Sequence, residues 1–226
     1  MNETLKRALS GAVYIILLLS CISYSKNNIG IGLAVLFGFL LIIGVYEFCK
    51  MCNLNVFISL PLAVISYFYL WNKCLDINTK TIIVSISVFT SIKLLFYLFN
   101  PKKTTFTITT RYLLLIGYII IPFIITNYIP IGKGNKYNEK ILITILILIW
   151  ANDTFAYLVG KNFGKHKLFP SVSPKKTIEG FIGGMIFTII SSILLSKFYI
   201  ESNILYIWII IAIIVSIFST LGDLIQ

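Results

Sequence analysis

Charge is scarce in this sequence. Only 12% of the 226 residues are Asp, Glu, Lys or Arg, and 8 acidic residues stand against 19 basic ones. A chain that is 58% hydrophobic, with a mean hydropathy of +0.94, lacks the polar surface that a soluble globular domain needs. No polar stretch is long enough to build a separate soluble domain, which argues against a nucleic-acid-binding face despite a net charge of +11. Histidine occurs once, at His166, and cysteine four times, at Cys21, Cys49, Cys52 and Cys74. A closed zinc site needs four ligands, so the CxxC formed by Cys49 and Cys52 at a helix end reads as structural.

What the chain does have is apolar runs near the ~20 residues that cross a bilayer. They fall at roughly 8–24, 28–48, 54–71, 81–99, 110–130, 139–160, 177–196 and 204–223. Short connections join them, so the expected fold is an all-α polytopic transmembrane bundle of about eight spans, one integral membrane domain over residues 1–226. Basic residues set the orientation. With a cytoplasmic N-terminus, the inside segments hold Lys6, Arg7, Lys50, Lys102, Lys103, Arg111, Lys161, Lys165, Lys167, Lys175 and Lys176. The outside segments hold Lys26, Lys73, Lys80, Lys133, Lys136, Lys140 and Lys197, while Lys93 lies within a span. The excess faces the cytoplasm, where it meets anionic lipid headgroups. The run ending in "LLSC" at Cys21 reads as a signal anchor, because Leu19 is bulky for a cleavage site and seven spans follow. No Arg/Ser-rich transit segment precedes it, so insertion into a bacterial inner membrane is expected.

Ionisable groups inside spans are costly and therefore informative. Glu47 and Lys93 lie near span ends, within snorkelling reach of the interface. Asp153 lies about two-thirds along the sixth span, in "WANDTFAYLVG". Asn152, Ala156, Tyr157 and Gly160 extend it into a narrow polar and small stripe that should face other helices or water. The seventh span carries Gly180, Gly184, Thr188 and Ser191 or Ser192, and the eighth carries Ser216, Thr220 and Asp223 at spacings of four and three. Close helix packing accounts for the glycines and hydroxyls but not for two aspartates.

Five lysines share the segment between spans six and seven, "GKNFGKHKLFPSVSPKKTIEG". Ser173 followed by Pro174 predicts a helix start there, with Lys175, Lys176 and Thr177 in its first turn. Cations at the positive end of a helix dipole are locally unfavourable, and an anionic ligand bound at that end would resolve the conflict. The competing account pairs Lys175 with Glu179 across one turn and gives the remaining lysines to lipid headgroups. Lys161, Lys165 and Lys167 could line the same mouth, with Gly160 and Gly164 allowing close backbone approach. His166 is assigned no role. Two carboxylates beside a basic phosphate pocket match the way Mg2+ is held, and lysines with Mg2+ describe phosphoryl or nucleotidyl transfer.

Residues 153–180, "DTFAYLVGKNFGKHKLFPSVSPKKTIEG", resemble the central segment of the bacterial phosphatidate cytidylyltransferases, or CDP-diacylglycerol synthases. The likeness rests on Asp153-Thr154, Ala156-Tyr157, Gly160-Lys161, Phe163-Gly164-Lys165, Lys167-Leu168, Pro170, Ser173-Pro174, Lys176-Thr177 and Glu179-Gly180, and the segment runs on to residue 184. Many members have glycine where this chain has Phe155. "LKRALSGAVY" near the start, "YEF" at 46–48 and "LGDLI" at 221–225 add weaker likenesses.

The resemblance implies that CTP and phosphatidic acid give CDP-diacylglycerol and pyrophosphate. It further implies that Asp153, Lys176, Glu179 and Asp223 act in catalysis, that Asp153 and Asp223 organise Mg2+, and that Glu179 orients a lysine. Substrate would meet Ser173, Pro174, Lys175, Lys176, Thr177, Tyr157, Lys161, Lys165, Lys167 and Gly180, with the N–H groups after Ser173 on phosphate. Its partners would be the two substrates and membrane lipids, with a homodimer left open. In that family a signature rich in charged residues and glycine follows the "GDL" segment, so further metal ligands are expected beyond Gln226, and activity belongs to the intact protein. A CTP-dependent polyprenol or phytol kinase and a secondary transporter of an anionic solute are the rival readings. The transporter would require an internal repeat of broken helices, which is not found.

Overall fold

The computed structural model describes residues 3–27, 30–72, 76–99, 106–132, 136–170, 172–202 and 204–225. Lys73, Cys74, Lys102, Lys103 and Lys133, which entered the charge and cysteine readings, lie outside the described residues. Helices occupy all eight apolar segments: α1 Glu3–Asn27, α2 Ile31–Cys52, α3 Val56–Asn72, α4 Ile77–Phe99, α5 Ile108–Thr126, α6 Glu139–Phe163, α7 Ile178–Ile200 and α8 Leu205–Ile225. Six of them are long and apolar enough to cross a membrane, and the apolar stretches Gly11–Lys26 and Val56–Trp71 in α1 and α3 are shorter. The all-α polytopic expectation holds.

The chain forms two compact units, Met1–Glu139 and Lys140–Gln226. In the first, α2, α3 and α5 enclose a core of Leu41, Val45, Phe48, Ala63, Tyr67, Leu114, Leu115, Ile120 and Ile124. A polar clamp runs through it. The Tyr67 hydroxyl donates to the Ala34 carbonyl and accepts from Asn127 Nδ2, each at 2.9 Å. A phenol buried among aliphatic side chains needs such partners, since an unpaired one would be costly to desolvate. Helix α5 widens to π geometry over Leu115–Ile120. Pro122 has no N–H to give to the carbonyl four residues back, which favours a local change of hydrogen-bond pattern there.

In the second unit, α6, α7 and α8 pack through small residues. A Cβ added at Gly180 would stand 2.7 Å from the Ala156 carbonyl oxygen, and one at Gly184 would stand 2.9 Å from the Ala156 side chain. The buried positions Gly180, Gly184, Thr188, Ser192 and Ser196 recur every four residues down α7, forming the small-residue stripe expected of it. On α8, Trp208, Ala212 and Ser216 are buried at the same interval.

One expectation is corrected. Ser173–Thr177 is a β-strand, and α7 begins only at Ile178. This strand, β2, pairs antiparallel with β1, Lys167–Phe169, through Lys167↔Thr177 and Phe169↔Ser173. The register shifts between those pairs, leaving Pro174, Lys175 and Lys176 against the single residue Leu168. Proline is compatible with an edge strand at a bulge as well as with a first helical turn, so Ser173-Pro174 did not settle the matter. Thr177 takes the capping role instead, its Oγ1 accepting from the Gly180 N–H at 3.1 Å.

Candidate active site

The hairpin, the last turns of α6, the start of α7 and the end of α8 surround a cleft of about 310 Å³. Helix α6 contributes Asn152, Asp153, Ala156, Tyr157, Gly160 and Lys161 to its wall, and β1 contributes Leu168. Lys175, Lys176 and Thr177 come from β2, Gly180 and Phe181 from α7, and Thr220 and Asp223 from α8. Spacing alone brings four of the α6 residues to one side, since 153, 156, 157 and 160 are neighbours on a helix face. The bulge in β2 places two adjacent lysines on the same wall, where a regular strand would send them to opposite faces.

The two aspartates hold different partners. Asp153 is exposed to the cleft, and its Oδ1 accepts from Ser219 Oγ of α8 at 2.9 Å and from Asn152 Nδ2 at 3.4 Å. Asp223 Oδ2 accepts from Lys176 Nζ at 2.9 Å, and the same ammonium reaches the Thr220 carbonyl at 3.5 Å. Lys176 is thus held across the cleft against the end of α8, while Lys175 points more fully to solvent. Three lysines, Lys161, Lys175 and Lys176, oppose two carboxylates, so the cleft favours an anion. Lys161 also stands 5.9 Å from the Tyr157 ring, over a largely exposed aromatic face.

Glu179 bonds the turn before β1. Its carboxylate accepts from the backbone N–H of Lys165 at 3.0 Å, from the N–H of His166 at 3.2 Å, and it bonds the His166 ring at Nδ1 at 2.7 Å. It therefore ties the α6–β1 turn to the first turn of α7, where the helix dipole also favours an acid. His166, to which the sequence gave no role, is the side-chain partner of that anchor. The pairing of Glu179 with Lys175 that one-turn spacing suggested does not form, because Lys175 stands on a strand. The N–H groups after Ser173 likewise belong to that strand and not to a helix start. Ser173, Pro174, Lys165, Lys167 and Glu179 lie outside the cleft wall, whereas the remaining expected site residues line it.

Ala156, Gly160, Leu168 and Thr220 join the wall without having been among the expected site residues, and Ser219, Asn152 and Phe181 also enter the site, in the roles that follow. Ser219, one turn before Asp223 on α8, holds Asp153. Asn152 is buried, and its Oδ1 has no hydrogen-bond partner among the described residues. Phe181 supplies apolar wall.

Asp153 and Asp223 are the groups on this cleft that could hold a divalent cation such as Mg2+. Asp153 and Asp223 offer hard oxygen ligands on one cleft, and this ion typically takes one or two carboxylates with substrate phosphates and water. Among the described residues no group of three or more His, Cys, Asp or Glu is gathered, so a closed all-protein cage is not what these residues build.

The chain matches the model of the cytidylyltransferase family over residues 5–226. It is 32% identical over 151 residues to a protein named phosphatidate cytidylyltransferase from Staphylococcus saprophyticus, covering 67% of this chain and 55% of the relative. A Bacillus subtilis protein of the same name is 33% identical over 125 residues, 55% of this chain and 46% of the relative. Another from Staphylococcus haemolyticus is 49% identical over 82 residues, 35% and 31% of the two chains. The chain spans about half the length, or less, of these curated relatives. No solved structure gives a significant match.

Proposed function

The chain belongs to the cytidylyltransferase family, and from that membership and the geometry of its cleft we propose that the protein makes CDP-diacylglycerol and pyrophosphate from CTP and phosphatidic acid. One observation carries the reading: two lysines and two aspartates from three separate elements line a single anion-favouring cleft. The acceptor and the donor of this reaction are both polyanions, and charge builds on the departing pyrophosphate.

A lipid phosphate oxygen attacks the α-phosphorus of CTP, the bond to the bridging oxygen of the β-phosphate breaks, and pyrophosphate leaves with that electron pair. Lys175 is free to meet incoming phosphate. Lys176 exchanges its bond with Asp223 for phosphate oxygens, which stabilises the leaving group and releases the Asp223 carboxylate. Ser219 and Asn152 keep Asp153 aimed into the cleft. Mg2+, held by Asp153 and Asp223, would screen the phosphates from one another. With the N-terminus in the cytoplasm of a bacterium, and the protein in the inner membrane, the basic hairpin lies on the side where CTP is available.

The test measures transfer of labelled CMP to phosphatidate in membranes containing the intact protein, with a polyprenol offered as competing acceptor. Lys176→Ala and Asp153→Asn should each lower the rate about a hundredfold or more, the scale seen when one transition-state electrostatic contact is removed. Normal CDP-diacylglycerol synthesis by either variant, or transfer of phosphate to the alcohol, would overturn the proposal.

A further inference from the structure

We propose that one face of α4 and the adjoining turn of α5 form a binding site for an anionic membrane phospholipid, with an acyl chain in the groove and the phosphate on Lys93. The groove lies in the unit Met1–Glu139 and has a volume of about 520 Å³, inside the roughly 300–1,000 Å³ range of small-ligand sites. Ile82, Ile86 and Phe89 of α4 and Leu113 and Leu114 of α5 make its walls, and Lys93 stands at one end.

Size and shape point to a hydrocarbon chain. The α4 lining runs from Thr81 to Lys93 along one helical face, a rise of about 18 Å, which suits an extended acyl tail rather than a compact ligand. Ile82 is 60% exposed and Phe89 69% exposed, so the described residues leave this face open.

Charge selects the kind of lipid. Lys93 is exposed and has neither a hydrogen bond nor an acidic partner among the described residues. Of the acids in the same unit whose side chains are described, Asp76 bonds the Thr79 hydroxyl, Glu139 is taken by Lys26, and Glu47 on α2 makes no ion pair with Lys93. An ammonium inside a span needs an anion, and basic groups between transmembrane helices characteristically take lipid phosphates. Lys93 lies six residues before the end of α4, about 9 Å along the axis, which puts its ammonium within reach of the headgroup layer. A zwitterionic lipid offers a phosphate already balanced by its own cation, so an anionic lipid compensates the ammonium better. A second copy of the chain packed by two-fold symmetry would bring a second Lys93 to the same contact.

The experiment reconstitutes the protein in vesicles of mixed phosphatidylglycerol and phosphatidylcholine, then counts retained lipids by native mass spectrometry after gentle extraction. CTP plays no part, so the result is independent of the reaction proposed above. Wild-type protein should retain phosphatidylglycerol over phosphatidylcholine by about fivefold, the scale of one lysine at a charged membrane surface. Lys93→Gln should abolish that preference, and Lys93→Arg should keep it. Ser85→Trp, which fills the groove, should reduce retention of both lipids. Equal retention by wild type, an unchanged preference in Lys93→Gln, or efficient cross-linking of two copies through Ser85→Cys would each overturn the proposal.

Discussion

Ser219 Oγ donates to Asp153 Oδ1 at 2.9 Å, so α8 fixes the orientation of a carboxylate carried by α6. The bond spans two elements that sequence order separates by 66 residues. Ser219→Ala should leave the fold intact and lower the proposed cytidylyl transfer about tenfold, typical of losing a group that orients a ligand. Ser219→Thr, which keeps the hydroxyl, should recover most of it. Measuring kcat and KM separately in membranes checks this: a loss confined to KM for phosphatidate would contradict an orienting role.

Lys176 and Asp223 form an ion pair that is partly open to water, with side chains 27% and 53% exposed. Such pairs add little to stability, on the order of 0–1 kcal/mol. Lys176→Met and Asp223→Asn should therefore change thermal unfolding only slightly while abolishing most transfer. Unfolding scans in detergent, run beside the activity assay, distinguish this from a structural pair, for which both readouts would fall together.

Glu179 is the anchor of the hairpin. Removing it in Glu179→Ala deletes the acceptor for the Lys165 and His166 N–H groups and for the His166 ring. Tryptic cleavage after Lys165 or Lys167 should speed up about tenfold, because local opening becomes easier when charge-assisted bonds of about 1.5–3 kcal/mol are lost. His166→Ala, which keeps the two backbone bonds, should be cleaved only slightly faster than wild type.

Gly180 has no room for a side chain: the added Cβ would meet the Ala156 carbonyl oxygen at 2.7 Å. Gly180→Ala should push α7 from α6 and cost about 1–3 kcal/mol. Gly11→Ala meets nothing within 4 Å and should be neutral or slightly stabilising, by up to ~1 kcal/mol. Comparing the two unfolding temperatures in one detergent separates the effect of packing from that of helix propensity.

The helices were legible because a bilayer demands long apolar runs, and this chain supplies little else. The stripe Gly180, Gly184, Thr188 was legible for the same reason, since small residues every four positions mean close approach. The start of α7 was not. Ser173-Pro174 fits a helix entrance and an edge strand equally well by local chemistry, and the choice is made by pairing with Lys167–Phe169, a contact no local pattern carries. The one-turn pairing of Glu179 with Lys175 presupposed a helix, and the strand at Ser173–Thr177 removes it. Ser219 lies one turn before Asp223, but nothing in that spacing says that Asp153 lies opposite.

Two-stranded ribbons hold their shape poorly on their own. Lys175 and Lys176 ride on one, and the carboxylate of Glu179 pins its base without facing the cleft. Glu179 thus braces the hairpin that carries both cations from a position outside the cleft wall. A substitution there would alter how quickly phosphate is captured and released while leaving every lining group of the cleft unchanged.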